Sequence, residues 1–157
     1  MRELILLRHA HAEPATTGQA DLDRPLSAQG LAEAEAAGRW LLEHGLAPDR
    51  VLCSPARRTR ETLEAVLAST GYAEQRLEDS IYEATPGTLF GLLQAQADVE
   101  RLMLVGHNPG MERLVALLHS GQSGDYRGMP TAAVAVLALP AAPIEPGQGR
   151  LTAFWWP

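Results

Sequence analysis

The sequence predicts an α/β protein, a three-layer α/β/α sandwich with a mostly parallel central sheet. Two all-apolar runs, Leu4-Ile5-Leu6-Leu7 and Leu102-Met103-Leu104-Val105, have the length of strands buried on both faces. Amphipathic helical stretches alternate with short apolar strands along the chain, the order that right-handed crossovers produce. Both runs also end in polar residues, Arg8-His9-Ala10-His11-Ala12 and His107-Asn108-Pro109. In open α/β sheets the carboxyl edge of the strands is where ligands bind.

The first strand, 3–8, runs into an irregular polar stretch, 9–26, closed by Arg24-Pro25-Leu26. A connection that long shapes the rim of a site. Ser27 then caps a helix to about Glu43, with Leu31, Trp40, Leu41 and Leu42 on its apolar stripe and Gly45 as the stop signal. Val51-Leu52-Cys53 is a short strand, and Ser54-Pro55 opens a second helix to about Ser69. A weak strand falls around 76–77, and the loop from Tyr82 to Gly87 precedes a helix at roughly 88–97. The second apolar strand covers 101–106. Asn108 caps the next helix, with Pro109 at its first position, and that helix reaches about Leu118. Residues 132–139 and 151–155 read as late strands around a turn-rich segment, 140–149.

With 157 residues and 46% apolar content, one domain over 1–157 with a full core is expected. No run approaches a membrane span or a signal peptide, and the single cysteine, Cys53, fits a cytoplasmic setting. A net charge of −6 argues against a nucleic-acid partner. All 13 basic residues are arginine, a bias that base composition explains well. The absence of lysine excludes a Walker-type phosphate loop and Schiff-base chemistry.

Arg8 and His9 suit phosphoryl chemistry, because a guanidinium clamps anionic oxygens in a planar fork and an imidazole can attack phosphorus or move protons. Ser54 ends the second strand, with Arg57, Arg58 and Arg60 just beyond it, and His107 ends the third apolar strand. Together with helix N-termini these groups would form an anion pocket. His11 either meets substrate or only lines its loop. Arg24 either reaches the pocket rim or pairs with Asp21 or Asp23. Arg57 and Arg60 read as a solvated face balanced by Glu61 and Glu64, Cys53 as a packed thiol, and Met111 and Leu114 as core. Trp155 and Trp156 read as filling a core edge and a surface groove.

The set Leu-Leu-Arg8-His9-Ala10, Arg24-Pro25-Leu26-Ser27 with Gly30, Ser54-Pro55-Ala56-Arg57-Arg58 with Thr62, Glu83, and Val105-Gly106-His107-Asn108-Pro109 resembles the histidine phosphatase superfamily, which is phosphoglycerate mutase-like in fold. The short length and Arg-Pro-Leu-Ser are similar to its SixA-type phosphohistidine phosphatase branch. The resemblance implies that His9 is the nucleophile, that Arg8, Arg58 and His107 hold the phosphoryl oxygens, and that Glu83 is the acid. It selects Arg58 over Arg57 by spacing from Ser54. Arg24, His11, Asn108 and Ser54 are the candidate substrate contacts, and no metal and no cofactor is called for. Two departures from the pattern are Ala10 where a glycine is usual, and Asn108 where acid-phosphatase relatives carry an aspartate. The implied partner is a phosphorylated protein, above all one bearing phosphohistidine, or a small phosphomonoester. A non-catalytic phosphate-binding module and a metal-dependent amidohydrolase using His9-x-His11 are the competing classes; the latter fold needs about 250 residues.

Overall fold

The structure, a computed structural model, describes every residue except Ala142, so the part of the expected turn segment 140–149 that falls on Ala142 lies outside the described residues. In chain order the elements are β1 (Glu3–Arg8), α1 (Ala28–Glu43), β2 (Arg50–Cys53), α2 (Arg57–Thr70), β3 (Glu74–Leu77), α3 (Pro86–Gln94), β4 (Arg101–Gly106), α4 (Gly110–Ser120), β5 (Val134–Ala138) and β6 (Arg150–Trp155). The strands form one sheet in the order β3-β2-β4-β1-β5-β6. Pairing is parallel from β3 through β1, and β5 runs against both of its neighbours.

Side-chain alternation along the strands builds the layers. Leu4 and Leu6 of β1 and Leu102 and Leu104 of β4 face one side, where they meet Leu89 and Leu93 of α3 and Met111, Leu114 and Leu118 of α4. Ile5, Leu7, Met103 and Val105 face the other side, against Ala37 and Leu41 of α1 and Leu63 and Val66 of α2. All eight strand residues are fully buried. Each such aliphatic side chain contributes about 1.5–3 kcal/mol relative to exposure, which explains why both central strands carry unbroken apolar runs.

Helix α1 buries a different stripe from the expected one. Leu41 is buried, but Leu31 and Leu42 are exposed, and the buried face is Gly30, Ala34, Ala37, Gly38 and Leu41. Close packing on α2 is the reason: a Cβ on Gly38 would lie 3.0 Å from the Val66 Cα. Ser27 caps α1 as expected, its hydroxyl accepting from Gly30 N at 2.9 Å.

Three other boundaries shift. Helix α2 begins at Arg57, because Ser54 and Pro55 form a preceding turn in which Thr59 Oγ1 donates to the Ser54 carbonyl at 2.8 Å. Helix α3 begins at Pro86, because Thr85 caps it by accepting from Thr88 N. The cap position of α4 is Pro109 rather than Asn108, although Asn108 Oδ1 still accepts from Glu112 N at 3.2 Å. Trp155 stacks on Trp40 with ring centroids 5.6 Å apart, whereas Trp156 is exposed. Among the described residues, no helix is long and apolar enough to cross a membrane.

Candidate active site

Parallel pairing of the two central strands sets the site. Arg8 is in register with Gly106, so the residues that follow, His9 and His107, emerge side by side at the carboxyl edge. The His9 amide donates to the Gly106 carbonyl at 3.0 Å, and the Ser54 amide donates to the Val105 carbonyl at 3.1 Å. Three strand ends thus deliver Arg8-His9, Ser54 and His107 to one place. The two imidazoles lie 5.2 Å apart between centroids.

Each side chain is held in a defined orientation. His9 Nδ1 lies 2.7 Å from the Ala10 carbonyl oxygen, an acceptor, so Nδ1 carries the proton and Nε2 keeps its lone pair. Ala10 is fully buried, and its amide donates to Thr62 Oγ1 at 3.0 Å. The methyl group that replaces the usual glycine is therefore accommodated in the core. His107 Nε2 lies 2.8 Å from Ser54 Oγ, while its Nδ1 is buried without a partner. Arg8 Nη1 donates to the Met129 carbonyl at 2.8 Å, and its Nε is likewise buried and unpartnered. Unsatisfied buried donors and acceptors cost free energy unless a ligand meets them.

Electrostatics set the protonation states. Burial, reinforced by the positive charge of Arg58 and Arg8, lowers His9 to about 4 against the opposing bond to Ala10. Burial, with His9 and Arg58 beside it, lowers His107 to about 3. Both rings are neutral near pH 7. Cys53 is buried and its thiol is pushed up to about 12, which fits a packed, unreactive group.

Arg58, in the first turn of α2, is 7% exposed at the side chain. Its Nη1 donates to the Asp21 carbonyl at 2.8 Å and its Nη2 to the Asp21 carboxylate at 3.0 Å. Asp21 also accepts from Arg24 Nη1 at 3.0 Å and from the Tyr82 hydroxyl. Hydrogen bonds from Tyr82, Arg24 and Arg58 hold the Asp21 carboxyl well below the usual carboxylate range. Tyr82 in turn sets its ring edge-on to His107 at 5.5 Å.

A cavity of about 370 Å³ opens beside this cluster, lined among others by Asp21, Arg58, Tyr82, Glu83, His107 and Arg113. Asn108 also lines it, with its amide nitrogen donating to the Met129 carbonyl at 2.9 Å. Glu83 is exposed and takes a left-handed φ of 59°. A non-glycine residue in that conformation costs of order 1–3 kcal/mol and clusters at functional sites. Arg24 divides its donors between the Glu13 carbonyl and Asp21. His11 is exposed, with Nδ1 2.7 Å from Ser27 Oγ and its amide on Glu33, at the start of α1. Arg57 pairs with Glu61 on the exposed face, as expected.

Local sequence marks Asp21 only as a partner for Arg24 and assigns Tyr82 and Arg113 no role. The one available signal was the position of Tyr82 directly before Glu83.

The family model for the histidine phosphatase superfamily (branch 1) matches residues 4–103, and the chain belongs to that superfamily. The match takes in Arg8, His9, Arg58 and Glu83 and ends just before His107. The chain is 38% identical over 159 residues to an uncharacterized protein of Mycobacterium tuberculosis, covering 94% of this chain and 98% of that one. It resembles a SixA-type structure from Agrobacterium tumefaciens with a TM-score of 0.87 and 34% identity, over 99% of this chain and 98% of the other. It also resembles the protein histidine phosphatase SixA complexed with tungstate, with a TM-score of 0.84 and 25% identity, over 98% and 96% of the two chains.

Proposed function

We propose that this chain is a phosphatase in which His9 Nε2 attacks the phosphorus of a phosphorylated protein, with phosphohistidine as the preferred group. The P–Nε2 bond forms as the bond to the leaving group breaks. Water then attacks the phosphohistidine intermediate, releasing inorganic phosphate and regenerating the imidazole. Arg8, Arg58 and His107 hold the equatorial oxygens, over which charge spreads in the transition state. The unpartnered Arg8 Nε and His107 Nδ1 are suited to that task. Glu83, on the cavity wall, is the candidate proton donor to the leaving group.

One observation carries the reading: the Nδ1 bond to Ala10 leaves Nε2 unprotonated on a partly buried ring flanked by two arginines. A nucleophile needs that lone pair, whereas a pocket that only binds phosphate does not. Resemblance to a SixA structure holding tungstate, an oxyanion, adds support.

The test is trapping with labelled substrate by rapid quench into alkaline detergent. Wild type should yield an acid-labile, base-stable phosphoenzyme, and His9→Ala should yield none while still binding tungstate. A His9→Ala variant that keeps appreciable turnover removes His9 as the nucleophile. A substrate panel of phosphohistidine protein, aryl phosphate, sugar phosphate and nucleotide should rank the phosphohistidine protein first by kcat/KM.

A further inference from the structure

The cavity beside His107 has a second cationic wall that phosphoryl transfer does not use. Arg58 and Arg113 both line it, yet their guanidiniums are in different situations. Arg58 is committed to Asp21. Arg113, exposed on α4 just past Gly110, has no carboxylate within 4 Å among the described residues. Among the described residues Arg39 and Arg60 also hold none, and what sets Arg113 apart is its place on the cavity wall. Arg113 is not simply adrift in solvent. Its Cζ lies 5.4 Å from the centroid of the Tyr126 ring, a cation–π contact that limits its range without using its hydrogen-bond donors.

We propose that Arg113 is a specificity-determining residue that recognises a second anion on the substrate, a carboxylate set beside the phosphoryl group. This rests on the phosphatase reading above and names the substrate class for the same site. The reacting phosphoryl group occupies the end formed by Arg8, His9, Arg58 and His107. The cavity that Arg58 and His107 line is also lined by Glu83 and Arg113. Arg113 presents several N–H donors in a planar fork, which suits a carboxylate better than a neutral group. In a phosphoprotein, the carboxylate is an Asp or Glu side chain near the phosphorylated residue.

The experiment uses two matched pairs: 4-carboxyphenyl phosphate against phenyl phosphate, and a phosphohistidine peptide with a neighbouring Glu against the same peptide with Gln. The readout is the ratio of kcat/KM within each pair, in wild type and in Arg113→Ala. Comparing ratios cancels both the leaving-group difference within a pair and any general loss in the variant. Wild type should favour the carboxylate member, and Arg113→Ala should lower that ratio about twofold to fivefold, the size expected for one exposed ion pair. Arg113→Glu should invert the preference. A fall confined to the aryl pair identifies a small-molecule carboxylate as the group recognised and overturns the phosphoprotein assignment. Unchanged ratios in both pairs overturn the role of Arg113 while leaving the phosphatase reading intact. A wild type that turns over none of the four substrates overturns the phosphatase reading and this proposal with it.

Discussion

The Asp21 carboxylate and the Arg58 guanidinium are bound to each other, Oδ2 to Nη2 at 3.0 Å, at the wall of the cavity that adjoins His107. One anion thus already sits on the arginine that a phosphoryl group would need. Asp21 fixes Arg58 and also repels incoming negative charge.

Asp21→Asn keeps an oxygen to accept from Arg58 but removes the charge. Inhibition by tungstate and by inorganic phosphate should become several-fold tighter, because a like charge next to a binding arginine no longer opposes the anion. Inhibition titrations at low salt read this directly. Weaker inhibition in the variant would mean that Asp21 acts only by orienting Arg58.

Arg58→Ala should cost about 10² to 10³ in kcat, the usual loss for one donor aimed at transition-state charge. Its neighbour Arg57 is 48% exposed at the side chain and pairs with Glu61 at 3.4 Å. Arg57→Ala should leave kcat nearly unchanged, as for most surface substitutions. Equal losses in the two variants would contradict the buried position of Arg58.

Imidazole titration followed by nitrogen NMR should place His9 near 4 in the ligand-free protein, far below the ordinary 6.5. The sign follows from a lowered value: the neutral, nucleophilic ring persists down to about pH 4. The same shift is linked to stability. Between about 4 and 6.5 the unfolded chain binds a proton at His9 that the folded chain does not. Stability on this account is complete above 6.5 and is lost as pH falls through 4. His9→Gln should reduce the slope of that part of the pH–stability curve and leave the share that His107, lowered to about 3, contributes; titration of His9 near 6.5 would refute the neutral assignment.

Glu83→Gln should separate substrates by leaving group. An alkyl phosphate releases a poorly stabilised alkoxide, so loss of the proton donor should slow it by roughly 10² or more. Phosphohistidine and aryl phosphates should keep much of their rate. Uniform slowing would indicate an electrostatic role, and no effect on either class would remove Glu83 from the mechanism.

Much of this architecture is legible in the chain because it depends on local pattern. The runs around Leu4 and Leu102 can only be strands buried on both faces, and parallel pairing of two such strands places His9 beside His107. The buried face of α1 was harder to read. Gly30, Ala34, Ala37 and Gly38 carry little apolar weight, and their value lies in how closely they let α2 approach. Likewise, the link from Asp21 to Arg58 spans 37 residues between a loop and a helix, and no local periodicity encodes it. The approach of Arg113 to the cavity depends on where α4 lies relative to Ala84–Pro86, which is a matter of tertiary packing alone.

The placement of β1 and β4 at the middle of the sheet bears on how the molecule breathes. Backbone amides in central strands exchange with solvent only through the largest openings, whereas edge strands fray at little cost. The Leu6 amide, in the middle of β1 and in register with Leu104, belongs to the first group. The edge strand β3, exposed along most of its length, belongs to the second. In deuterium-exchange measurements the Leu6 amide should therefore be among the last to be labelled, and β3 should label early without loss of turnover. Heat should then abolish activity together with global unfolding and not ahead of it.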